Sequence, residues 1–397
     1  MTNDLTNDLT RFIAPGATLG VLGGGQLGRM FVHAAQRMGY RTAVLDPDPH
    51  SPAGLVSHRH LKADYLDPAA LAQLASECAA VTTEFENVPA AALATLACSV
   101  PVAPAAASVA ICQDRAAEKA HFAACDVACA PYAVIDSAQS LERVDAALLP
   151  GILKTARLGY DGKGQAQVAD CAALASAWAE FGQAACVLEQ RLPLAFELSV
   201  IVARGADGSM VELPVQQNLH RAGILAVTRV PAADIAQETQ RAAVEAARRL
   251  AASMRHVGLL CVEFFVLHDG RLVANEMAPR PHNSGHASLD ACDLSQFDLQ
   301  VRCMTGAPLV APRLHSPCVM LNLLGDLWRS GGSQADAPVE PDWAGVLALP
   351  GVHLHLYGKG QARAGRKMGH LVVTARDAET ALALARECAQ RLRIEAF

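Results

Sequence analysis

Short apolar runs punctuated by glycine open the chain. Residues 18–22 (TLGVL) read as a buried strand; the glycine segment 23–28 follows, then a helix-like stretch to Gly39 and a second strand over 41–46 that ends in Asp46. Strand, glycine loop, helix, strand is the opening of a doubly wound sheet. Residues 79–85 (AAVTTEF) read as a further strand carrying Glu84 and Glu86 at its C-terminal end, where open α/β sheets gather ligands. Near residue 108 the pattern changes. A charged amphipathic helix is predicted over 112–124, a strand over 150–156, a glycine-rich loop over 159–165 and a strand over 186–192. Residues 197–204 alternate in the antiparallel manner, a long helix runs from about 234 to 254, and 258–280 form a hairpin turning at Asp269-Gly270. From about 311 come VHLHLYGK, a basic glycine loop, a strand (LVVTA) and a helix, while 329–338 read as an exposed loop. Three sections result: 1–108, 109–310 with a division near 190, and 311–397.

Composition narrows the class. Of 397 residues 52% are hydrophobic and 18% charged, enough to bury several cores. The net charge of −6 argues against a general nucleic-acid binder but leaves room for a local basic pocket. Twelve cysteines lie scattered among Ala, Val and Leu without C-x-x-C pairs or zinc-finger spacing, so reduced, mostly structural thiols in a reducing cytoplasm are expected. The polar, acidic N-terminus lacks the features of a signal peptide, and no apolar run is long enough for a membrane span.

The glycine loop spaces Gly23, Gly25 and Gly28 as G-x-G-x-x-G, with Asp46 about 20 residues on, so a dinucleotide-binding reading fits formally. A tight turn that needs glycine explains the loop as well. Glu263 and Glu276 are more telling. One lies on each strand of the hairpin, so the two side chains can meet across the ladder. Paired carboxylates among Val, Phe and Ala repel unless a cation sits between them, and magnesium, which takes carboxylate and phosphate oxygens, fits; manganese is the other candidate. Unrelated acids on a solvent-facing strand are the alternative. Lys154 ends an apolar strand, where a lysine reaches a phosphate or simply snorkels to the surface. The loop Gly159-Tyr160-Asp161-Gly162-Lys163-Gly164-Gln165 can close over phosphates, or be an ordinary hairpin turn. Backbone groups near Glu189-Gln190-Arg191-Leu192 can hold an adenine edge, with Glu189 on the ribose or amino group. His353 and His355 alternate to one face and are expected to pack, as are His58 and His60.

The order Lys154, GYDGKGQ, E-Q-R-L, Glu197, V-E-F-F and N-E-M-A-P-R resembles the ATP-grasp superfamily. TTEFENVP (82–89), APRPHNSGH (278–286) and HLHLYGK with AGRKMGH (353–370) look like the 5-(carboxyamino)imidazole ribonucleotide synthase family, and the resemblance spans about 18–374. It implies a mixed α/β and α+β chain: an ATP-grasp fold with an N-terminal Rossmann-like pre-ATP-grasp domain (1–108), a central domain divided into a lid part (109–190) and a nucleotide and metal part (191–310), and a small C-terminal domain (311–397). It implies ATP-dependent carboxylation of aminoimidazole ribonucleotide with bicarbonate, through carboxyphosphate, by a cytoplasmic homodimer that engages neither nucleic acid nor membrane. Carried over by position, Arg115, Lys154, the 159–165 loop, 189–192, Glu197, His220, Asn275 and Glu276 line the ATP site, and Glu263 and Glu276 bind magnesium. Gly25, Gln26, Leu27, Glu84, His282, Asn283, Lys359 and Arg366 take the ribonucleotide, with its phosphate on Lys359 and Arg366. Tyr160, Asp161, Arg280 and His282 border the reacting centre, and Asp161 or His282 removes the amine proton. A formate-dependent ribonucleotide transformylase, a biotin carboxylase, a dinucleotide-dependent dehydrogenase and a catalytically silent scaffold are the competing readings.

Overall fold

The computed structural model describes residues 9–159, 164–329 and 339–397. Tyr160, Asp161, Gly162 and Lys163 of the glycine-rich loop, and most of the predicted 329–338 loop, lie outside the described residues.

The first sheet is parallel: β1 (Thr18–Leu22), β2 (Arg41–Leu45), β3 (Arg59–Leu61) and β4 (Ala80–Thr83) run in the order β3-β2-β1-β4. The chain departs to opposite sides of β1, which opens a crevice at the C-terminal strand ends. The second sheet is antiparallel, with β5 (Tyr132–Ile135), β6 (Gly151–Thr155), β7 (Gln165–Val168) and β8 (Cys186–Gln190) in the order β5-β8-β6-β7.

The third sheet holds β9 (Leu194–Arg204), β10 (Met210–Glu212), β11 (Gln216–Arg221), β12 (Ile224–Val230), β13 (Gly258–Leu267), β14 (Leu272–Ala278), β15 (Cys318–Leu324), β16 (Val352–Leu356) and β17 (Lys367–Thr374). Its order is β14-β13-β9-β11-β12-β15-β17-β16, with β10 paired to β9. The strands after residue 311 therefore extend the central sheet, because β15 pairs with β12.

Apolar helix faces join these layers. The helix Gln237–Ser253 lays Ala243, Ala246, Ala247 and Leu250 against Val200 and Val202 of β9 and Leu260 and Val262 of β13. Small alanines let the helix approach the sheet closely, and each buried branched side chain contributes about 1.5–3 kcal/mol. Phe297, Val301 and Met304 of the helix Gln296–Thr305 pack against Met30 and Phe31 of the helix Gln26–Arg37, which docks the first section onto the central one.

The predicted 112–124 helix is two helices, Ala106–Cys112 and Arg115–Ala124. The Asp114 carboxylate accepts from the Ala116 and Ala117 N–H groups at 3.0 and 3.2 Å and starts the second helix afresh. Arg115 and Lys119 then lie one turn apart on one face. Of the histidines expected to pack, His355 stacks on His370 with ring centres 4.5 Å apart and meets Asp290 at 2.7 Å, and half-buried His60 bonds to the Asp46 carbonyl; His58 is exposed, although its ring accepts from the Thr42 N–H. All twelve cysteines are free. Among the described residues no helix is long and apolar enough to cross a membrane.

Candidate active site

Glu263 of β13 and Glu276 of β14 stand opposite each other in the ladder. The register slips just beyond them, where Phe264 pairs with Ala274, so Asn275 is the extra residue of a bulge. Successive strand residues normally point to opposite faces. At the bulge Asn275 and Glu276 each meet a cation: Lys154 reaches Asn275 Oδ1 at 3.3 Å, and Arg115 reaches Glu276 Oε2 at 2.9 Å. β14 is the sheet edge, whose outward backbone groups have no strand partner. The helix Arg115–Ala124 and the turn after it supply partners. Lys119 donates to the Asn275 carbonyl (2.7 Å), the Met277 N–H donates to Glu118 (2.6 Å), and the Ala274 N–H donates to the Ala128 carbonyl (2.7 Å).

The two opposed acids differ in charge state. Burial, reinforced by Glu276, pushes the Glu263 carboxyl up to about 7. Burial acts on Glu276 in the same sense, but Arg115 and Lys154 outweigh it and hold that carboxyl down at about 2. A pair in which one acid retains a proton near neutrality suits a divalent cation, which replaces the proton and leaves both groups anionic. Among the described residues no three His, Cys, Asp or Glu side chains are grouped to hold a metal ion. Two carboxylates with other positions left to phosphate oxygens is the donor set magnesium accepts.

Glu197 on β9 and His220 on β11 form an ion pair at the same end. Burial disfavours the His220 charge, yet the hydrogen bond to Glu197 and the nearby Glu263 raise its pKa. His282 differs: burial, with Arg280 and Lys367, keeps it neutral. Its Nδ1 accepts from the Ser284 N–H (3.4 Å) and lies 2.9 Å from Ser284 Oγ, so Nε2 carries the proton, 3.2 Å from Glu263 Oε1. Both ring nitrogens are engaged, and this arrangement disfavours the expected role of His282 as a base. Asn283 beside it is buried, and neither its Oδ1 nor its Nδ2 has a hydrogen-bond partner. Such a doubly orphaned amide is free to bond a ligand or a water.

The glycine loop departs from the expectation. The amides of Gly25 and Gly28 donate to the two Glu84 oxygens at 2.8 Å each, and that of Gly24 donates to Asp46 at 2.7 Å. Buried Glu84 thus sits where the helix N-terminus would attract a phosphate, and it holds the loop. Asp46, which also accepts from Tyr65 (2.7 Å), is the fingerprint acid of the dinucleotide reading and is tied into the same scaffold. A Cβ at Gly25 would lie 2.4 Å from Glu84 Oε1, so any side chain there would displace the carboxylate that the loop amides hold. Leu27 points into the core; Gln26 opens the helix at the crevice. Arg280 pairs with Glu86 just beyond β4, joining the 278–286 segment to the crevice of the first sheet.

Glu189 is buried between Lys154 (3.0 Å) and Lys119 (3.3 Å). The Gln190 and Arg191 N–H groups donate to the Pro131 and Pro150 carbonyls, and the Gln190 side chain donates to the Ala147 carbonyl. Lys359 donates to the Lys367 carbonyl (2.8 Å) and Arg366 to the Gln361 carbonyl (2.9 Å) in the basic loop. Arg29, from the helix after the glycine loop, lies beside Gly358. Arg29, Lys119 and Lys367 escaped the sequence reading. For Lys119 a signal existed, its i+4 spacing from Arg115.

Residues 16–113 match a ribonucleotide synthetase pre-ATP-grasp domain, 120–297 an ATP-grasp domain, and 318–384 a phosphoribosylaminoimidazole carboxylase C-terminal domain. The chain is 44% identical to an N5-carboxyaminoimidazole ribonucleotide synthase of Brucella melitensis, over 90% of this chain and 96% of that one, and 39% identical to one of Bacillus subtilis over 91% and 92%. Among solved structures, the Staphylococcus aureus N5-carboxyaminoimidazole synthetase complexed with ADP superposes with a TM-score of 0.87 at 34% identity, covering 96% of this chain and 98% of that one. The Aspergillus clavatus enzyme in complex with ADP and 5-aminoimidazole ribonucleotide gives 0.85 at 30%, covering 95% and 98%. The chain belongs to the N5-carboxyaminoimidazole ribonucleotide synthase family.

Proposed function

We propose that this enzyme uses ATP to join bicarbonate to the exocyclic amine of 5-aminoimidazole ribonucleotide. The products are N5-carboxyaminoimidazole ribonucleotide, ADP and phosphate, in de novo purine (IMP) synthesis. The observation that carries the reading is the opposed pair Glu263 and Glu276, flanked by Arg115, Lys154 and Asn275. Bicarbonate oxygen attacks the γ-phosphorus, ADP leaves, and carboxyphosphate forms. The amine nitrogen then attacks its carbon, phosphate departs, and the nitrogen loses a proton.

Magnesium held by Glu263 and Glu276, with manganese as a substitute, would offset charge on the transferring phosphoryl group. Arg115 and Lys154 act as fixed cations on the phosphate chain, in a site whose low dielectric strengthens them. Glu197 and His220 border the nucleotide. The 159–165 loop closes over the phosphates, because carboxyphosphate does not survive in water. Asn283 and the loop of Lys359 and Arg366 hold the ribonucleotide, and Asp161 is the candidate proton acceptor that remains. As the resemblance implies, the enzyme acts as a homodimer in the cytoplasm.

ADP release tests the reading directly. Dependence on both bicarbonate and aminoimidazole ribonucleotide is expected; dependence on formate or biotin would move the chain to a rival ATP-grasp activity. Lys359→Ala is expected to raise the KM for the ribonucleotide by about tenfold or more while the KM for ATP stays within about twofold. An equal change in both contradicts the phosphate role. The pH dependence follows from Glu263, which must lose a proton to take the ion. Below about 7, where its carboxyl titrates, the half-saturating magnesium concentration falls as pH rises, by about tenfold per unit, and levels off above. Magnesium titrations from acid to mildly alkaline pH read this slope, and a flat profile removes the Glu263 assignment.

A further inference from the structure

Two lysines share one buried acid beside the phosphate end of the site. Glu189 is 4% exposed, Lys119 0% and Lys154 8%. Glu189 Oε2 accepts from Lys154 at 3.0 Å, while Oε1 lies 3.3 Å from Lys119 and accepts no hydrogen bond. The cluster holds two cations and one anion, and water is excluded from most of it. The Lys119 ammonium is anchored on the far side, by the Asn275 carbonyl at 2.7 Å and over the Phe122 ring. Lys154 faces the cleft, where it also touches Asn275 Oδ1.

We propose that Lys119 is a positioning residue, the resident counter-ion of Glu189. It keeps that carboxylate neutralised when Lys154 turns its ammonium to the nucleotide phosphate. Stranding a buried carboxylate is costly, so without Lys119 the nucleotide has to compete with Glu189 for Lys154, the lysine still in contact with it. The inference rests on the phosphate role proposed for Lys154. It differs from simple bracing of β14, because bracing depends on the donor to Asn275 and is indifferent to the charge on Glu189.

The test measures ADP affinity by calorimetry with magnesium present, and the KM values for ATP and ribonucleotide, in the full-length enzyme. Lys154→Met is expected to weaken nucleotide binding by about tenfold or more. Lys119→Met is expected to raise the ATP KM by about tenfold, with the ribonucleotide KM unchanged, and Lys119→Arg to stay within about threefold of wild type. Lys119→Met combined with Glu189→Gln is expected to return to within about threefold of wild type, since no carboxylate remains to be stranded. Should Lys119→Met not fold, Lys119→Gln with and without Glu189→Gln makes the same comparison, the amide keeping a donor for Asn275. Unchanged binding in Lys154→Met overturns the phosphate role and the inference with it. A loss in Lys154→Met without one in the Lys119 variant, or a double variant as weak as the Lys119 single, overturns the counter-ion role alone.

Discussion

Glu276→Gln is expected to lower turnover by at least about 10³-fold at saturating ATP and magnesium while the protein stays folded. The amide has nearly the shape of the carboxylate, so β14 keeps its bulge and its contacts with Glu118 and Lys119. What is lost is the anion facing Glu263, and with it half of the protein's grip on a divalent ion. Arg115 loses its ion-pair partner, which lies at a cleft where water or phosphate can take its place. Removing the neighbouring charge also removes one of the influences that raise Glu263, so in this variant its carboxyl titrates lower than in the wild type. Steady-state kinetics over a magnesium series, beside a circular-dichroism melt, decide the matter. Turnover within about threefold of wild type, with an unshifted magnesium requirement, would remove the metal assignment.

Arg280→Met is expected to produce the largest loss of stability, about 3–5 kcal/mol at pH 8. Arg280 and Glu86 are mostly shielded from water and pair with each other, one from the end of β14 and the other from just beyond β4. Burial opposes the charge on Glu86, but Arg280 outweighs it and holds the carboxyl below its ordinary value. That pairing stabilises the fold above the usual carboxylate pKa of about 4.3, and the contribution is lost as pH falls through the lower folded value. In the variant the sign reverses. Glu86 is left without its cation beside buried Glu84, its folded pKa rises, and it protonates as pH falls. The gap between wild type and variant therefore narrows from pH 8 toward pH 5. Denaturant unfolding at the two pH values measures both numbers, and a gap that is constant with pH would falsify the ion-pair account. Activity falls as well, because Arg280 sets the course of the segment carrying His282 and Asn283.

Both experiments concern contacts between segments far apart in the chain, and there the sequence reading reached its limit. Strand positions, the hairpin turn at Asp269-Gly270 and the opposition of Glu263 and Glu276 were legible, because period-two alternation and turn chemistry are local and fix which side chains face one another across a tight hairpin. The long motifs were legible for the same reason and led to the family. The role of the glycine loop was not, since its amides meet acids 22 and 59 residues away, Asp46 and Glu84, and no local pattern reveals that an anion of the protein itself fills the helix N-terminus. The bulge at Asn275, the burial of Glu189 between two lysines, the engagement of both His282 nitrogens and the extension of the central sheet by β15–β17 belong to the same class. By itself the sequence determined most of the elements, the opposition of Glu263 and Glu276 across the hairpin and the family. The tertiary structure alone decided which charges neutralise one another, because that depends on the distances and the dielectric created when remote segments pack.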